Sequence, residues 1–389
     1  MKSDFSPEKN HPRRSNSDSF CLHHQSPGKP YNLRTSKIRV PISRILVLPM
    51  KKAIQFIGTQ RSGSNLLRVM LNQHPEISAP HPPHILQVVM PLLPMYGNLS
   101  NQGSFEKLVE DVCTLVEKNP VNWSVQFDRS AIAALCENNS LPQIMRAVYW
   151  TKAQMKNASW WCCKSMASVH YVNEIEAGGI HPVYLFMYRD GRDVACSFRK
   201  AVVGEKHMYF LAAQWKKEQE LSHALAQKLG SERVISLCYE DFMADTEGSL
   251  KKICNSLKIE FVPEMLNYAD AEESKITAAS GKMWGNLTKP LMRDNSKKYL
   301  KELSHDDLVI FESIAGDTLE KLGYVREIGQ EKLRTFSESQ IKEYQILNER
   351  WQAEAKELSV EDMTKRKAQD EFIAALKKNY HEITNAARA

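Results

Sequence analysis

The chain has 389 residues, of which 42% are hydrophobic and 25% are charged, a composition that is ordinary for a globular protein of one or two domains. No apolar run approaches the roughly 18 residues of a membrane-spanning helix, so we expect no membrane span. The net charge of +6 comes entirely from residues 1–49, because residues 50–389 contain 43 basic and 43 acidic side chains. We therefore expect no nucleic-acid partner.

Residues 1–49 differ in composition from the rest of the chain. They are rich in Ser, Pro, His and Asn and show no helix or strand periodicity, which predicts a disordered leader. Their basic, acid-poor composition is compatible with an organelle transit peptide. The alternative is that Met50 is the true start of the protein, since the first predicted strand follows it almost directly.

The eight cysteines form no CxxC pair and lie mostly in apolar stretches. This pattern favours free thiols in a reducing compartment over a disulfide framework. We therefore expect the protein to be cytoplasmic.

The first predicted unit is a strand, a polar loop and a helix within residues 54–73, IQFIGTQRSGSNLLRVMLNQ. The apolar run 54–57 predicts a buried strand, and from Ser64 onward apolar residues recur at helical spacing. Loop amides and a helix N-terminus favour negative charge, and Arg61 adds a full positive charge. This stretch therefore predicts a phosphate or sulfate site.

A proline-rich segment, HPEISAPHPPHILQ, follows the first helix. Its prolines disfavour a regular helix and predict an extended, ordered loop. His74, His81 and His84 lie here, and any of them could act as a general base because imidazole titrates near neutrality. Each could equally be a structural residue that hydrogen-bonds the loop. They complete no cluster with metal-ligand spacing, so we expect no metal site.

Three further strands are predicted along the chain, each followed by polar residues and a helix. The second of them is followed by RDGRD, in which Asp193 is the predicted N-cap of a helix. Strands that alternate with helices favour an α/β fold with a mostly parallel sheet, and ligands of such sheets collect at the carboxyl ends of the strands. The four polar strand ends, which we expect to converge on one crevice, are Gly58–Ser64, Lys164–Ser165, Arg189–Asp193 and Tyr239–Asp241.

The last third of the chain begins with a basic, glycine-bearing stretch at 277–300, which could close over an anionic ligand or be a solvated loop. An amphipathic helix is predicted over residues 304–322. From residue 331 onward the chain is charged and helical, without catalytic patterning. This segment is predicted to be a packing arm, a lid, a contact in a homo-oligomer or a solvated tail.

The loop GTQRSGSN has the G-x-x-x-x-G spacing of a phosphate-binding P-loop. Where a nucleotide triphosphatase has Lys followed by Ser or Thr, this chain has Ser64 and Asn65, and no obvious acidic strand end supplies a metal site. The residues therefore disfavour a triphosphatase and favour an anion held by Arg61 and backbone amides alone.

Two stretches, GTQRSGSNLLRVMLNQHPEI and MYRDGRDVACSF, with a YED strand end and a late Lys-Tyr, resemble the sulfotransferases that use 3′-phosphoadenosine 5′-phosphosulfate (PAPS). The similarity is to the bacterial and tyrosylprotein branch and covers about residues 53–325. It implies an α/β, P-loop-type three-layer sandwich in which a mostly parallel central sheet is flanked by helices. A sulfotransferase domain over 50–330 and a helical C-terminal extension over 331–389 follow from it. PAPS would be the donor, adenosine 3′,5′-bisphosphate the product, and no metal is implied.

The resemblance also assigns roles to particular residues. Arg61, with Lys164, is implied to stabilise the transferring negative charge, and a proline that follows this lysine motif in the family is replaced here by Met166. The residues implied to bind the donor are Arg61, Ser62, Gly63, Ser64 and Asn65 at the 5′-phosphosulfate, Arg189 and Ser197 at the 3′-phosphate, Tyr239 at the nucleotide, and Lys298 in the closing loop.

The base differs from the pattern of close relatives. They commonly have Pro-Pro-Glu where this chain has Pro82-Pro83-His84, and another branch of the superfamily uses a histidine base. We expect His84 to be the base because it takes the place of the Glu, with His81 as the second candidate.

The predicted function is metal-free, in-line transfer of a sulfuryl group from PAPS to a hydroxyl or amine of a small-molecule acceptor. Aromatic and methionine residues suggest an apolar alcohol such as a sterol or lipid, although a sugar or a protein tyrosine stays open. The alternatives are a P-loop kinase or nucleotide hydrolase, and a non-catalytic nucleotide-binding scaffold.

Overall fold

The computed structural model describes residues 38–39 and 52–386. The predicted leader, residues 1–49, lies outside the described residues except for Ile38–Arg39, so its disorder stays a prediction. These two residues form strand β1, which pairs in parallel with β4 (Val125–Gln126).

The core of the fold is a five-stranded sheet in which every pair of neighbouring strands is parallel, with the order β3-β5-β2-β6-β7. All five residues of β2 are buried, as expected for a parallel sheet that helices cover on both faces. This arrangement confirms the predicted α/β fold. The strands are β2 (Ala53–Ile57), β3 (Ile77–Ser78), β5 (Trp160–Cys163), β6 (Val183–Tyr188) and β7 (Val234–Cys238).

Helices alternate with these strands and continue beyond them to the end of the described chain. No helix within residues 52–386 is both long enough and apolar enough to cross a bilayer. The α-helices are α1 (Ser64–Gln73), α2 (Ile85–Val89), α3 (Gln102–Glu117), α4 (Arg129–Ala134), α5 (Leu141–Met155), α6 (Val172–Ala177), α7 (Gly191–Arg199), α8 (Met208–Leu229), α9 (Tyr239–Ala244), α10 (Thr246–Leu257), α11 (Glu272–Ala279), α12 (Tyr299–Glu302), α13 (His305–Lys321), α14 (Glu338–Glu357) and α15 (Val360–Ala386).

Shorter 3-10 segments fill several connections between these helices. They are Met90–Tyr96, Met166–Tyr171, Pro263–Leu266, Tyr268–Asp270, Lys282–Thr288 and Gln330–Lys332. Helices α1, α7 and α9 each begin within a few residues of the end of a strand, so their N-termini lie along the carboxyl edge of the sheet. This edge is where ligands of open parallel sheets bind.

The start of α7 corrects one prediction. Asp190, and not Asp193, is the N-cap, because its carboxylate accepts a hydrogen bond from the Arg192 amide and the helix begins at Gly191. Asp193 lies one turn further on and is buried. Its carboxylate accepts from Arg189 Nη2 at 3.2 Å and from the Tyr299 amide at 3.0 Å. The acid that was predicted to cap the helix therefore orients an arginine at the strand end.

A fully buried arginine fixes the first helix against the rest of the domain. Arg68 of α1 donates from Nη1 to the Ala79 carbonyl at 2.9 Å and to Glu273 at 2.6 Å. Its Nη2 donates to Thr277 Oγ1 of α11 at 2.8 Å. Since Ala79 lies two residues before His81, these bonds hold the proline-rich loop beside the sheet.

The segment after residue 331 packs on the domain through both of its long helices. In α14, Asn348 Oδ1 accepts from the amides of Lys206 and His207, at 2.7 and 2.9 Å. In α15, Gln369 donates to the Leu115 carbonyl, and Leu376 is 3% exposed. Of the alternatives for this segment, the structure favours a packing arm over a solvated tail.

Candidate functional site

The loop between β2 and α1 has an unusual backbone. Gly58, Arg61 and Gly63 have φ values of 111°, 72° and 84°, in the left-handed region that non-glycine residues rarely adopt. Gly63 caps α1 without a side-chain hydrogen bond, and a Cβ there would lie 2.6 Å from the Tyr239 ring. The strain at Arg61, of the order of 1–3 kcal/mol, is typical of functional loops.

A cavity of about 650 Å³ lies at the carboxyl edge of the sheet, where α1 begins. Eleven of the twelve residues to which the family resemblance assigns a catalytic or donor-binding role line it, so the four polar strand ends do meet in one crevice. They are Arg61, Gly63, Ser64, Asn65, His81, His84, Lys164, Arg189, Ser197, Tyr239 and Lys298. The uncapped N-terminus of α1 faces this cavity and favours an anion there.

Ser62 is the exception. It is 0% exposed, and its hydroxyl donates to the Thr59 carbonyl at 2.9 Å. The side chain therefore closes the loop onto itself instead of lining the cavity, and only its backbone amide remains to contact a ligand.

Arg61 links the loop after β2 to Arg189 and to Ser197 of α7. Its Nε donates to Ser197 Oγ of α7 at 3.0 Å, and its carbonyl accepts from Arg189 Nη1 at 3.4 Å. Burial and the neighbouring Arg189 lower the pKa of Arg61 to about 10. Two arginines this close repel each other, so the pair is stabilised by any anion that enters between them.

Arg189 is held in place from several directions. Its guanidinium lies 4.3 Å from the centre of the Tyr239 ring and pairs with Asp193. Its Nη2 also donates to the Asn295 carbonyl, while Asn295 Nδ2 donates to the Tyr239 hydroxyl at 2.7 Å. Nε is buried and has no hydrogen-bond partner among the described residues. The segment that carries Lys298 is thus tied to this end of the cavity.

Lys164 follows β5 and is 6% exposed. Burial, with the charges of Arg68 and Arg61, lowers the pKa of Lys164 to about 7. No ion pair involves it among the described residues. An anion in the cavity would raise this pKa and restore the full positive charge.

His84 occupies a strained position beside Lys164. Its φ is 59°, and its Nδ1 lies 3.0 Å from Ser165 Oγ. A tautomer in which Nδ1–H donates to Ser165 leaves Nε2 free to accept a proton. Burial, followed by the charges of Lys164 and Arg366, lowers the pKa of His84 to about 3, so the ring is neutral at physiological pH.

His81 is the less accessible of the two candidate bases. It is 4% exposed, its ring packs edge-on against Trp284 at 4.8 Å, and its Nδ1 is buried without a hydrogen-bond partner. Burial is the main cause that lowers the pKa of His81 well below its usual value. Both histidines line the cavity, but only His84 has a side chain that is oriented by a hydrogen bond.

Several residues at the site escaped sequence reasoning. Ser165 was expected at a polar strand end, but its hydrogen bond with His84 was not predicted. Trp284 and Asn295 lie in the stretch 277–300 that could close over a ligand, but neither residue was predicted individually. Arg366 and Gln369 carried no recognisable motif, and they belong to α15, more than 100 residues beyond the last predicted strand.

The fold and the cavity define an α/β protein with a cavity lined by basic side chains at the carboxyl edge of a parallel sheet. A model of the sulfotransferase family matches residues 54–263. Because this match spans more than half of the chain, the chain belongs to the sulfotransferase family. A search among curated proteins gives no significant match.

Three solved structures are similar to this chain. A sulfotransferase domain from the Synechococcus PCC 7002 olefin synthase is 19% identical, with a TM-score of 0.45 over 68% of this chain and 94% of that one. A sulfotransferase domain from the curacin biosynthetic pathway is 22% identical, with a TM-score of 0.40 over 72% and 95%. A Mycobacterium avium sulfotransferase is 12% identical, with a TM-score of 0.41 over 72% and 79%. The family assignment rests on the family model alone.

Proposed function

We propose that this protein transfers the sulfuryl group of PAPS to a hydroxyl or amine of a small-molecule acceptor. The observation that carries the proposal is the position of Arg61. It lies between the uncapped N-terminus of α1 and the Arg189–Ser197 pair, inside one cavity. A ligand with two anionic groups would satisfy both ends of this site.

The residues present fit such a donor. The amides of Gly63, Ser64 and Asn65 would hold the 5′-phosphosulfate at the start of α1. The unpartnered Nε of Arg189, together with the Ser197 hydroxyl, would hold the 3′-phosphate. The Tyr239 ring would contact the nucleotide, and Lys298 would close the site from the Asn295 segment.

Lys164 and Arg61 would stabilise the negative charge that develops on the sulfuryl oxygens and on the departing phosphate. In the transfer, the bond between sulfur and the 5′-phosphate oxygen breaks while a bond from sulfur to the acceptor oxygen or nitrogen forms. His84 Nε2 takes the proton that the acceptor loses, and Ser165 holds the ring in the required orientation. Adenosine 3′,5′-bisphosphate leaves as the other product.

Thermal-shift measurements on the full chain test the donor. Adenosine 3′,5′-bisphosphate is expected to raise the melting temperature at concentrations well above its Kd, because it binds only the folded state. ATP with magnesium is expected to have little effect, since Ser64 and Asn65 stand where a triphosphatase has Lys and Ser or Thr. Stabilisation by ATP and not by the bisphosphate would favour a kinase or nucleotide hydrolase instead.

A further inference from the structure

Helix α15 supplies one wall of the cavity, through Arg366 and Gln369. The charge of Arg366 lowers the pKa of both His81 and His84. Arg366 lies near His81, because its guanidinium is 5.4 Å from the centre of the Trp284 ring, which in turn packs 4.8 Å from the His81 ring.

The cavity is lined by more unpaired basic side chains than the proposed donor would contact. Two of its lining cations are paired with carboxylates, Arg189 with Asp193 at 3.2 Å and Lys200 with Glu302 at 2.6 Å. Five others form no ion pair among the described residues, namely Arg61, Lys164, Lys282, Lys298 and Arg366. The proposed donor accounts for Arg61, Lys164 and Lys298. The remaining two come from the Lys282–Thr288 segment and from α15.

These two elements are docked together. The Lys282 amide donates to Asp362 Oδ1 of α15 at 3.1 Å, and the Arg366 guanidinium lies 5.4 Å from the centre of the Trp284 ring. An arginine held against an aromatic face is preorganised to bind a planar or tetrahedral anion. The Trp284 ring beside it offers an apolar surface.

The Arg366 side chain packs against the Trp284 ring but has no polar partner in the described part of the chain. It makes no hydrogen bond with any described residue, and its Nε is buried without a partner. Burial lowers the pKa of Arg366, and the nearby carboxylates of Asp370 and Asp362 offset only part of this effect. Other residues attach α15, including Lys365, which donates to the Ala279 carbonyl at 2.7 Å, and Gln369, which donates to the Leu115 carbonyl at 3.2 Å. A half-buried guanidinium that is left unpaired beside a cavity points to an anionic partner.

We propose that Arg366 binds a negatively charged group of the acceptor, a carboxylate or a phosphate or sulfate ester. The acceptor is then a hydroxy or amino compound that already carries negative charge, and the uncharged sterol or lipid alcohol suggested by the sequence is disfavoured. This inference rests on the proposed function, in which PAPS contacts the unpaired cations Arg61, Lys164 and Lys298.

The test uses the full chain saturated with adenosine 3′,5′-bisphosphate. Calorimetry would measure the binding affinity of three anions and of their uncharged counterparts. The pairs are salicylate and salicylamide, lactate and lactamide, and glycerol phosphate and glycerol. We expect at least one anion to bind more tightly than its uncharged partner. Replacement of Arg366 by Gln should weaken the binding of that anion roughly tenfold or more and leave the affinity for the uncharged compound unchanged. R366K, which keeps the charge but not the fork of donors, should retain part of the preference.

Lys367 provides the matched control. It is the next residue of α15, its side chain is 71% exposed, and it does not line the cavity. K367Q removes the same formal charge and should keep the wild-type preference. The inference is wrong if no anion is preferred by the wild-type protein, or if R366Q and K367Q behave alike. Binding of adenosine 3′,5′-bisphosphate is measured first in the same samples. If the bisphosphate does not bind, the proposed function is wrong. If it binds but no anion is preferred, only the role of Arg366 is wrong.

Discussion

Replacement of His84 by Asn is expected to lower the rate of sulfuryl transfer by roughly 10²–10⁴-fold, the usual contribution of a general base. Asn is chosen because it tolerates the positive φ of 59° at this position better than most residues. The affinity for adenosine 3′,5′-bisphosphate should not change, since the ring contributes no donor to the anion site. Transfer of radiolabelled sulfuryl from PAPS and calorimetry of the bisphosphate give the two readouts.

H81N and H305N are the comparisons for this variant. His305 is exposed at the start of α13, so H305N should behave as wild type. If His81 is the base, H81N loses transfer and H84N keeps it. Near-normal rates in both H81N and H84N would exclude a histidine base.

Replacement of Arg189 by Lys is expected to weaken the binding of adenosine 3′,5′-bisphosphate by roughly 10–100-fold. This is the effect of losing one charge-assisted hydrogen bond of about 1.5–3 kcal/mol. Lys is preferred to Met because it can still pair with the buried Asp193 carboxylate, which would otherwise be left without its cation. Adenosine 5′-monophosphate, which lacks the 3′-phosphate, should bind the variant and the wild type with similar affinity.

R199K is the matched control for Arg189. Arg199 lies at the far end of α7, where it pairs with Asp307 outside the cavity. This variant should bind the bisphosphate as the wild type does. An unchanged affinity in R189K, or equal weakening of the bisphosphate and the monophosphate, would show that Arg189 does not hold the 3′-phosphate.

Much of the fold could be predicted from the sequence because it depends on local patterns. Short apolar runs such as Val183–Tyr188 mark buried parallel strands, and the polar residues after each run mark the edge where ligands bind. Since all carboxyl ends of a parallel sheet lie on the same edge, Arg61, Lys164, Arg189 and Tyr239 could be placed near one another without coordinates.

Contacts made between distant segments could not be predicted in the same way. Arg366 reaches the cavity only because α15 packs over α3 and the Lys282–Thr288 segment, and a charged helix carries no signal for that docking. The orientation of Ser62 depends on a loop that turns through Arg61 at positive φ. Asp193 was wrongly predicted to be the N-cap of α7 because Asp190, three residues earlier, is an equally good capping residue.

Transfer of label from radiolabelled PAPS tests the proposed activity most directly. The full chain would be incubated with the donor and a mixture of small hydroxy and amino acids, phosphorylated alcohols and their uncharged counterparts. We expect label to move to one or more anionic acceptors, with release of one adenosine 3′,5′-bisphosphate per transfer, and to stay on the donor with H84N. Tight binding of the bisphosphate without transfer of label to any acceptor would contradict the proposed sulfotransferase activity and favour a nucleotide-binding scaffold.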